Sequence, residues 1–336
     1  MTESHSTIAH AAYHDLLRQL QDDAAATIIG NPHKVLRNGR GYWYDMYRLG
    51  TSVKNRYLGE DSPELADRIA RHQELAASAT ARNAARARMV RLLRSEGLAT
   101  MDRETGSLLA GLERAGVFRL GGTIVGTIAF RLYEGELGLR YGVSELAQTG
   151  DIDIAAFERL SVALGDQVET ALPDTFRTLD FAPLPSTFSR SVWRWKQTRS
   201  NTLIEFLTPS FRPEEDIREL PALGVAAQSL HFLNYLIAGP IKAAALYRSG
   251  VLVQVPRPER FAIHKLIVAD RRRTDRIKSI KDRAQAAFLI RALAEDRPDD
   301  LREAQEDARS RGPKWNQHLD ASLKRMPETA ALLAGL

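Results

Sequence analysis

The sequence contains no cysteine among its 336 residues. Disulfides, thiolate zinc sites, iron–sulfur clusters and a cysteine nucleophile are therefore excluded. Long apolar runs are also missing, since the best candidate, Val225 to Ile237, is too short and too interrupted to span a bilayer. The first residues carry acids and histidines instead of a basic start and an apolar segment. We therefore expect no signal peptide, no membrane association and a cytoplasmic location.

Two common catalytic signatures are absent as well. The sequence has neither the Gly-x-Ser-x-Gly elbow of many hydrolases nor a Gly-x-x-x-x-Gly-Lys phosphate loop. His10 and His14 are four residues apart on a predicted helix, but without a third ligand they do not define a zinc site. The composition, 44% hydrophobic and 26% charged, is that of a globular protein with an ample core. The length indicates two or three domains.

Positive charge is concentrated in one region. Residues 257–283 hold ten Lys/Arg and four Asp/Glu, a net charge of +6, whereas the whole chain carries +5. The rest of the chain is therefore close to neutral. This pattern suits a polyanion such as RNA, DNA or a nucleoside triphosphate, although a solvated helix face gives the same pattern.

The pattern of residue types divides the chain into three parts. Residues 1–100 are rich in Ala, Leu, Arg and Glu and are predicted to be mostly helical. Strands and helices mix over 101–256, and helices are predicted from about 257 to 336. Within the first part, Tyr42, Trp43 and Tyr44 follow a Gly/Asn-rich loop. These rings either stack on a nucleobase or pack helices against the core, and packing is the favoured interpretation.

The sharpest chemical feature is the pair Asp151 and Asp153. The segment from Thr149 to Ala155 alternates polar and apolar residues, as a half-buried strand does. Both carboxylates then lie on one face, where they repel each other unless a cation lies between them. Hard divalent cations such as Mg²⁺ prefer oxygen ligands and suit such a pair. A solvated surface pair is the alternative for this motif taken alone.

Two further features share this context. Gly121, Gly122 and Thr123 are predicted to form a turn between a strand at 117–120 and a helix at 124–133. Such a turn lets the backbone approach phosphates, and a helix N-terminus offers free N–H groups to an anion. Glu205 lies in a later strand-like segment, on the face opposite to its apolar neighbours. It therefore lies either on a polar surface or beside the aspartate pair.

The order of these parts resembles the nucleotidyltransferase superfamily with the DNA polymerase beta-type catalytic fold. The resemblance implies an α+β fold, with a mixed-sheet core over 101–256 flanked by an N-terminal helical region over 1–100 and a C-terminal helical domain over 257–336. More closely, the chain is similar to a bacterial family of uncharacterised nucleotidyltransferase-fold proteins. The matching stretches are Gly41 to Tyr44, Leu120 to Gly126, Thr149 to Ala155, Glu205 to Pro209 and Val255 to Leu266.

The resemblance also implies roles for individual residues. Asp151, Asp153 and Glu205 would be the catalytic and metal-binding carboxylates, with Mg²⁺ or Mn²⁺ as cofactor. Gly121, Gly122 and Thr123 would hold the triphosphate. Two departures from the superfamily pattern are a Glu as the third acid and a long gap before Asp151, which implies an insertion over 133–148.

The segment after Pro258 resembles the lysine-bearing helix of abortive-infection nucleotidyltransferase toxins. The resemblance implies that Lys265 contacts the triphosphate, with Asp282 and Arg271 as weaker candidates for supporting roles. Alternatively, Lys265 is a surface lysine and the run of arginines at 271–273 is a solvated helix face. His264 is expected to have a packing role.

The expected reaction is transfer of a nucleoside monophosphate from a triphosphate such as ATP to an acceptor hydroxyl, with release of pyrophosphate. RNA, for example tRNA, is the favoured acceptor because of the basic C-terminal segment. A protein side chain remains an alternative acceptor. A third interpretation is a non-catalytic protein that binds nucleic acid or a partner on the same fold. Neither a protein partner nor an antitoxin can be identified from the sequence.

Overall fold

The structure is a computed structural model that describes residues 3–26, 28, 31–49, 52–141, 151–157, 168, 171–185, 191–212, 214–272 and 274–336. Thr149, Gly150, Arg273 and residues 142–148 of the expected insertion lie outside these ranges. No helix of the described ranges is both long enough and apolar enough to cross a membrane. The elements in chain order are α1 (Thr7–Ala26), β1 (Asn31–Arg37), β2 (Arg40–Leu49), β3 (Ser52–Glu60), α2 (Pro63–Ser95), α3 (Arg103–Arg114), β4 (Thr123–Val125), α4 (Gly126–Leu137), β5 (Asp151–Ala155), α5 (Leu172–Thr178), β6 (Phe181–Pro183), β7 (Arg194–Gln197), β8 (Leu203–Ser210), β9 (Ile217–Leu220), β10 (Val225–His231), α6 (Leu233–Leu236), β11 (Ile241–Ala245), β12 (Val251–Val255), α7 (Pro258–Arg271), α8 (Arg276–Asp296), α9 (Pro298–Ser310), α10 (Pro313–Leu323) and α11 (Pro327–Ala334).

A mixed seven-stranded sheet forms the centre of the fold. Five strands lie side by side in the order β4, β5, β8, β10 and β9. Strand β7 also pairs with β8, and β6 pairs with β7. The pairs β5–β8 and β8–β10 are parallel, whereas the β4–β5, β7–β8 and β9–β10 pairs are antiparallel. The expected α+β fold with a mixed-sheet core between helical regions is confirmed.

The C-terminal helices share one hydrophobic core with this sheet. Phe130 of α4 stacks near Phe261 of α7, with ring centroids 6.4 Å apart. Phe288 of α8 meets the same ring of Phe130 edge-on at 6.1 Å. All three side chains are buried within a cluster that also contains the central strands. Burial of this apolar surface fixes α7 and α8 against the sheet.

Helix α1 packs on the β11–β12 hairpin, far along the chain. Tyr13 of α1 is buried, and its hydroxyl accepts a hydrogen bond from the backbone N–H of Ala244 at 3.1 Å. Leu16 and Leu20 of α1 belong to the same small hydrophobic cluster as Ala244 and Leu252. The tyrosine therefore satisfies a strand N–H that would otherwise be buried without a partner.

Replacing Tyr13 by Phe tests this contact. Tyr13→Phe keeps the ring but leaves the Ala244 N–H unsatisfied, which costs about 1–3 kcal/mol of unfolding free energy. Urea unfolding followed by circular dichroism measures the change. Tyr57→Phe is the matched control, because Tyr57 is 54% exposed and should lose nothing measurable. Equal stability of both variants would contradict the structural role given to Tyr13.

The stretch between α1 and α2 differs from its mostly helical prediction. The strands β1, β2 and β3 lie in this stretch instead and form an antiparallel sheet. Asn38 and Gly39 make the two-residue turn between β1 and β2, both with positive φ, at 50° and 78°. Asn-Gly is the preferred sequence for such a hairpin turn. The helix start expected at Ser62 is confirmed, since its side chain accepts a hydrogen bond from the Leu65 N–H.

The order of elements around Gly121 is also different from the prediction. Residues 117–120 lie in a turn, the strand is Thr123–Val125, and the helix begins only at Gly126. The turn is closed by the Gly122 N–H, which donates to the Val117 carbonyl at 2.9 Å. Val117 is buried, so its apolar side chain packs from a turn instead of from a strand. The strand predicted at 117–120 is wrong because apolar residues are buried here in a turn, without the alternation of a strand.

Candidate active site

Two neighbouring parallel strands bring three carboxylates together. Asp151 and Asp153 alternate along β5 with Ile152 and Ile154, whose side chains are buried. Asp153 lies directly opposite Glu205 in the β5–β8 register. Strand alternation puts both aspartates on the face of the sheet away from the two isoleucines. The arrangement expected from the sequence for these three acids is thus present in the backbone register.

The carboxylates repel one another. Burial, followed by the charges of Glu205 and Asp151, raises the pKa of Asp153 to about 7. Burial also raises the pKa of Glu205; Arg194 opposes this shift, whereas the Asp151 charge adds to it. A carboxyl group with the pKa of Asp153 holds and releases a proton close to neutral pH, which is typical of catalytic sites.

The aspartate pair fits a hard divalent cation. A cation would remove the repulsion that Asp153 experiences, and carboxylate oxygens are the ligands that Mg²⁺ prefers. Glu205 is turned toward Arg194, whose Nη1 lies 3.9 Å from its Oε1. Within the described ranges, no three acidic or histidine side chains already stand together as a metal site. Glu205 must therefore leave Arg194 before it can serve as a third ligand.

Gly126 lies against the carboxylate of Asp153. It begins α4 with φ +68°, and a Cβ built on it would overlap Oδ2 of Asp153. Its neighbour Val125 pairs with Asp153 across the β4–β5 ladder. Gly126 ends one of the stretches that match the family, but no role is predicted for it from the sequence. The sequence pattern that indicates such a position is a short run of β-branched residues, Thr123–Val125, followed directly by Gly126.

A methyl group at Gly126 should displace Asp153. We expect Gly126→Ala to lower turnover on the order of ten- to a hundredfold, because small misplacements of reacting groups are costly. Gly224→Ala is the matched control: φ is +64° there and a Cβ would meet nothing within 4 Å. Both variants carry similar backbone strain, so steady-state turnover separates strain from displacement. Equal losses in both would refute the contact.

The Gly121–Gly122 turn lies at the other end of β4. Because β4 and β5 are antiparallel, Thr123 pairs with Ala155 and not with an aspartate. The Thr123 hydroxyl is buried, donates to the Gly121 carbonyl at 3.1 Å and accepts from Gln254 Nε2 at 3.0 Å. The structure therefore separates this turn from the carboxylates by one short strand, and its triphosphate role stays a prediction.

Helices α7 and α8 carry positive charge beside the carboxylates. Lys265 and Asp282 are both buried, and Lys265 Nζ lies 2.5 Å from Asp282 Oδ1. Arg272 Nε lies 3.1 Å from the other oxygen of the same carboxylate. The charges of Lys265 and Arg272 act on Asp153 and oppose the rise of its pKa. Burial and pairing are inconsistent with a snorkelling surface lysine at position 265.

His264 and Arg271 are close to Lys265 in sequence but have other surroundings. His264 is buried, and burial together with the nearby cations lowers its pKa to about 3, so it stays neutral. This agrees with the packing role expected for it. Arg271 pairs with Glu215 at 2.8 Å and stacks over the Phe232 ring at 5.3 Å. Arg271 is thus held away from Lys265 by other partners.

A basic cleft opens next to this ion pair. Its volume is about 560 Å³, and its charged lining includes four arginines and one aspartate. Helix α8 contributes two of these arginines, and α7 and its C-terminal end contribute the aspartate and one arginine. The charged lining residues are Asp270, Arg272, Arg276, Arg283 and Arg325. A cleft lined by charges mainly of one sign attracts polyanions.

Comparison with known proteins bears on the central part of the chain. A family model described as nucleotidyltransferase matches residues 103–310. This range contains α3, the whole mixed sheet, α7 and α8. It therefore includes the three carboxylates and the Lys265–Asp282 pair. No curated protein matches the chain.

Proposed function

The chain belongs to the nucleotidyltransferase family, and on that premise we propose that it transfers a nucleoside monophosphate from a nucleoside triphosphate to a hydroxyl group of RNA. The observation that carries the proposal is the register of β5 and β8, which places Asp153 opposite Glu205 beside the cations of α7. Acids on one side and cations on the other suit a reaction at a triphosphate.

In the proposed reaction the acceptor oxygen attacks the α-phosphorus. A new phosphodiester bond forms, the bond to the β-phosphate oxygen breaks, and pyrophosphate leaves. The acceptor proton passes to Glu205, whose pKa is raised by burial, so that it accepts a proton more readily than an ordinary carboxylate. Lys265, held by Asp282, offers its positive charge to the phosphate oxygens on the leaving side.

Asp151 and Asp153 are the proposed ligands of Mg²⁺ or Mn²⁺, with Glu205 completing the site. When bound, such ions lower the pKa of an attacking hydroxyl and neutralise phosphate charge. The protein residues contribute orientation: β5 fixes the two aspartates on one face, and Gly126 leaves room for the Asp153 carboxylate. The metal site accounts for acids that otherwise only repel one another.

The basic cleft supports RNA as the acceptor. Four arginines around about 560 Å³ suit a phosphate backbone and disfavour a cationic acceptor. The resemblance of the Lys265 helix to abortive-infection toxins makes the 3′ end of a tRNA one specific candidate.

The deciding experiment follows label from each α-labelled triphosphate. Purified protein is incubated with Mg²⁺ or Mn²⁺ and total cellular RNA, beside the Asp151→Ala/Asp153→Ala double variant. Label in RNA with the wild-type protein alone is the expected result, and it also identifies the base. Label in protein would keep the chemistry and overturn the RNA acceptor. No label and no triphosphate binding by calorimetry would favour a non-catalytic binding protein.

A further inference from the structure

The sheet of β1, β2 and β3 presents aromatic rings on one face. Tyr42 and Tyr44 are two residues apart on β2, so their side chains share a face. Tyr57 of β3 and His33 of β1 lie opposite Tyr44 in the register. The ring centroids of Tyr44 and Tyr57 are 5.5 Å apart, and those of His33 and Tyr44 are 6.1 Å apart. The rings therefore form one continuous surface, which we call the aromatic face.

The aromatic face is open to solvent. Tyr57 is 54% exposed, and Met46 on the same face is 43% exposed. Among the side chains that the structure describes between 31 and 60, no apolar one belongs to the buried core. The interpretation that Tyr42, Trp43 and Tyr44 pack helices against the core is therefore wrong. Tyr57 is exposed and Tyr42 and Tyr44 are half-buried, and rings that reach solvent without supporting a core point to a binding surface.

Positive charge accompanies the rings. The guanidinium of Arg37 lies 6.0 Å from the Tyr44 ring centroid. Residues 31–60 contain six Lys/Arg and two Asp/Glu. One of the two acids, Asp45, is fully buried and pairs with Arg56, so it adds no open negative charge. A cationic surface with exposed rings is complementary to an unpaired polynucleotide.

We propose that the aromatic face binds single-stranded RNA, with unpaired bases stacked on Tyr42, Tyr44 and Tyr57 and the phosphate backbone near Arg37. Every base has a flat face, so stacking of this kind tolerates many sequences. The choice of RNA over single-stranded DNA rests on the proposed function, in which RNA is the acceptor. The stacking surface itself rests on the rings, their exposure and the charge.

This surface is built apart from the carboxylates. The sheet is fastened to the start of α2, where Asp61 accepts hydrogen bonds from Trp43 Nε1 at 2.8 Å and from Lys34 Nζ. The other end of α2 meets the beginning of the chain, with Ser6 donating to Glu96 at 2.6 Å. A helix of 33 residues is roughly 50 Å long. RNA binding by the aromatic face can therefore be measured separately from nucleotidyl transfer.

Fluorescence anisotropy with labelled oligouridylate tests the proposal, in EDTA and without triphosphate. Tyr44→Leu/Tyr57→Leu removes two rings but keeps apolar side chains, and should raise Kd at least about tenfold. Tyr44→Phe/Tyr57→Phe keeps the rings and should bind like the wild-type protein. Leu36→Ala is the matched control, since Leu36 is 73% exposed and alternates with Arg37 onto the opposite face. Circular dichroism checks that each variant keeps its fold.

Each outcome decides the proposal. Loss of binding in the Leu double variant alone, with weaker binding to a duplex of the same length, supports it. Absence of oligouridylate binding by the wild-type protein overturns it. Unchanged binding in the Leu variant also overturns it, because the RNA would then bind elsewhere, for example in the basic cleft. Preference for oligodeoxyuridylate would overturn the choice of RNA. The proposed function is tested separately, by label transfer. RNA binding without label transfer would refute only the proposed enzymatic activity.

Discussion

Asp153→Asn is expected to abolish nucleotidyl transfer while making the metal-free protein more stable at pH 8. Loss of this ligand should lower turnover by a factor on the order of 10³, because charge at the triphosphate would no longer be balanced. The stability gain follows from the burial of the Asp153 carboxylate and from its repulsion by Glu205 and Asp151, which together raise its pKa to about 7. Few substitutions stabilise a fold and inactivate it together, except at functional sites.

Protonation of Asp153 makes the unfolding free energy depend on pH. The folded carboxyl of Asp153 takes up its proton near pH 7, and the unfolded one near pH 4. Between those values the folded state binds the additional proton, so the unfolding free energy of the wild-type protein falls as pH rises from about 4 to 7. Asparagine removes this dependence. The gain at pH 8 should be on the order of 1–4 kcal/mol, and near zero at pH 4.

Thermal unfolding in EDTA at both pH values measures the gain. A second series with added Mg²⁺ provides a readout that does not depend on turnover. Wild-type Tm should rise with Mg²⁺ at pH 8, since ligand binding to the folded state stabilises it. Asp153→Asn should show little response. An equal Mg²⁺ response in both proteins would refute the proposed metal ligand.

Lys265→Met should cost both stability and activity, and the two losses can be separated. Lys265 and Asp282 form a buried ion pair with Nζ 2.5 Å from Oδ1. Removing one partner leaves a buried charge with less compensation, which typically costs about 3–5 kcal/mol. Replacing both partners by apolar residues of similar size is often nearly neutral. Lys265→Met/Asp282→Leu should therefore recover most of the stability.

The double variant decides what Lys265 does. A structural role alone predicts that turnover returns together with stability. Contact with the triphosphate predicts that turnover stays low and that KM for the triphosphate rises. Lys314→Met serves as a control, because Lys314 of α10 is exposed and does not line the basic cleft. Urea unfolding and steady-state kinetics on the same preparations make the comparison.

Much of the site could be predicted because its signals are local. Alternation around Asp151 and Asp153 defines a half-buried strand within a few residues, and Glu205 follows the same rule on β8. What the sequence could not supply is the neighbour relation. That β5 and β8 lie side by side, although about fifty residues separate them, depends on strand pairing through the whole core. The resemblance to a family supplied this relation in advance.

The missed features have physical explanations. Val117 and Leu120 are buried in a turn, so their apolar character predicted a strand there, and the helix was expected to begin at residue 124 instead of at Gly126. Among the described side chains of β1, β2 and β3, no apolar one is buried, so these strands show little alternation of apolar and polar residues. Their clearest signal was the Asn38–Gly39 turn, which was interpreted as a loop. The division at residues 100 and 256 stays a prediction.

The hydrogen bond between Tyr13 and Ala244 also has a consequence for biosynthesis. Its partners are 231 residues apart in sequence, so α1 leaves the ribosome long before the hairpin on which it packs. Contacts of such separation form late, because a long loop must close before they are gained. Helix α2 is made early and its Val90 and Leu93 belong to the same cluster as Leu16 and Leu20, so α1 can first pack against α2. The part of α1 that faces the hairpin is covered only after about residue 255 has been made, and this docking is therefore a late step of folding.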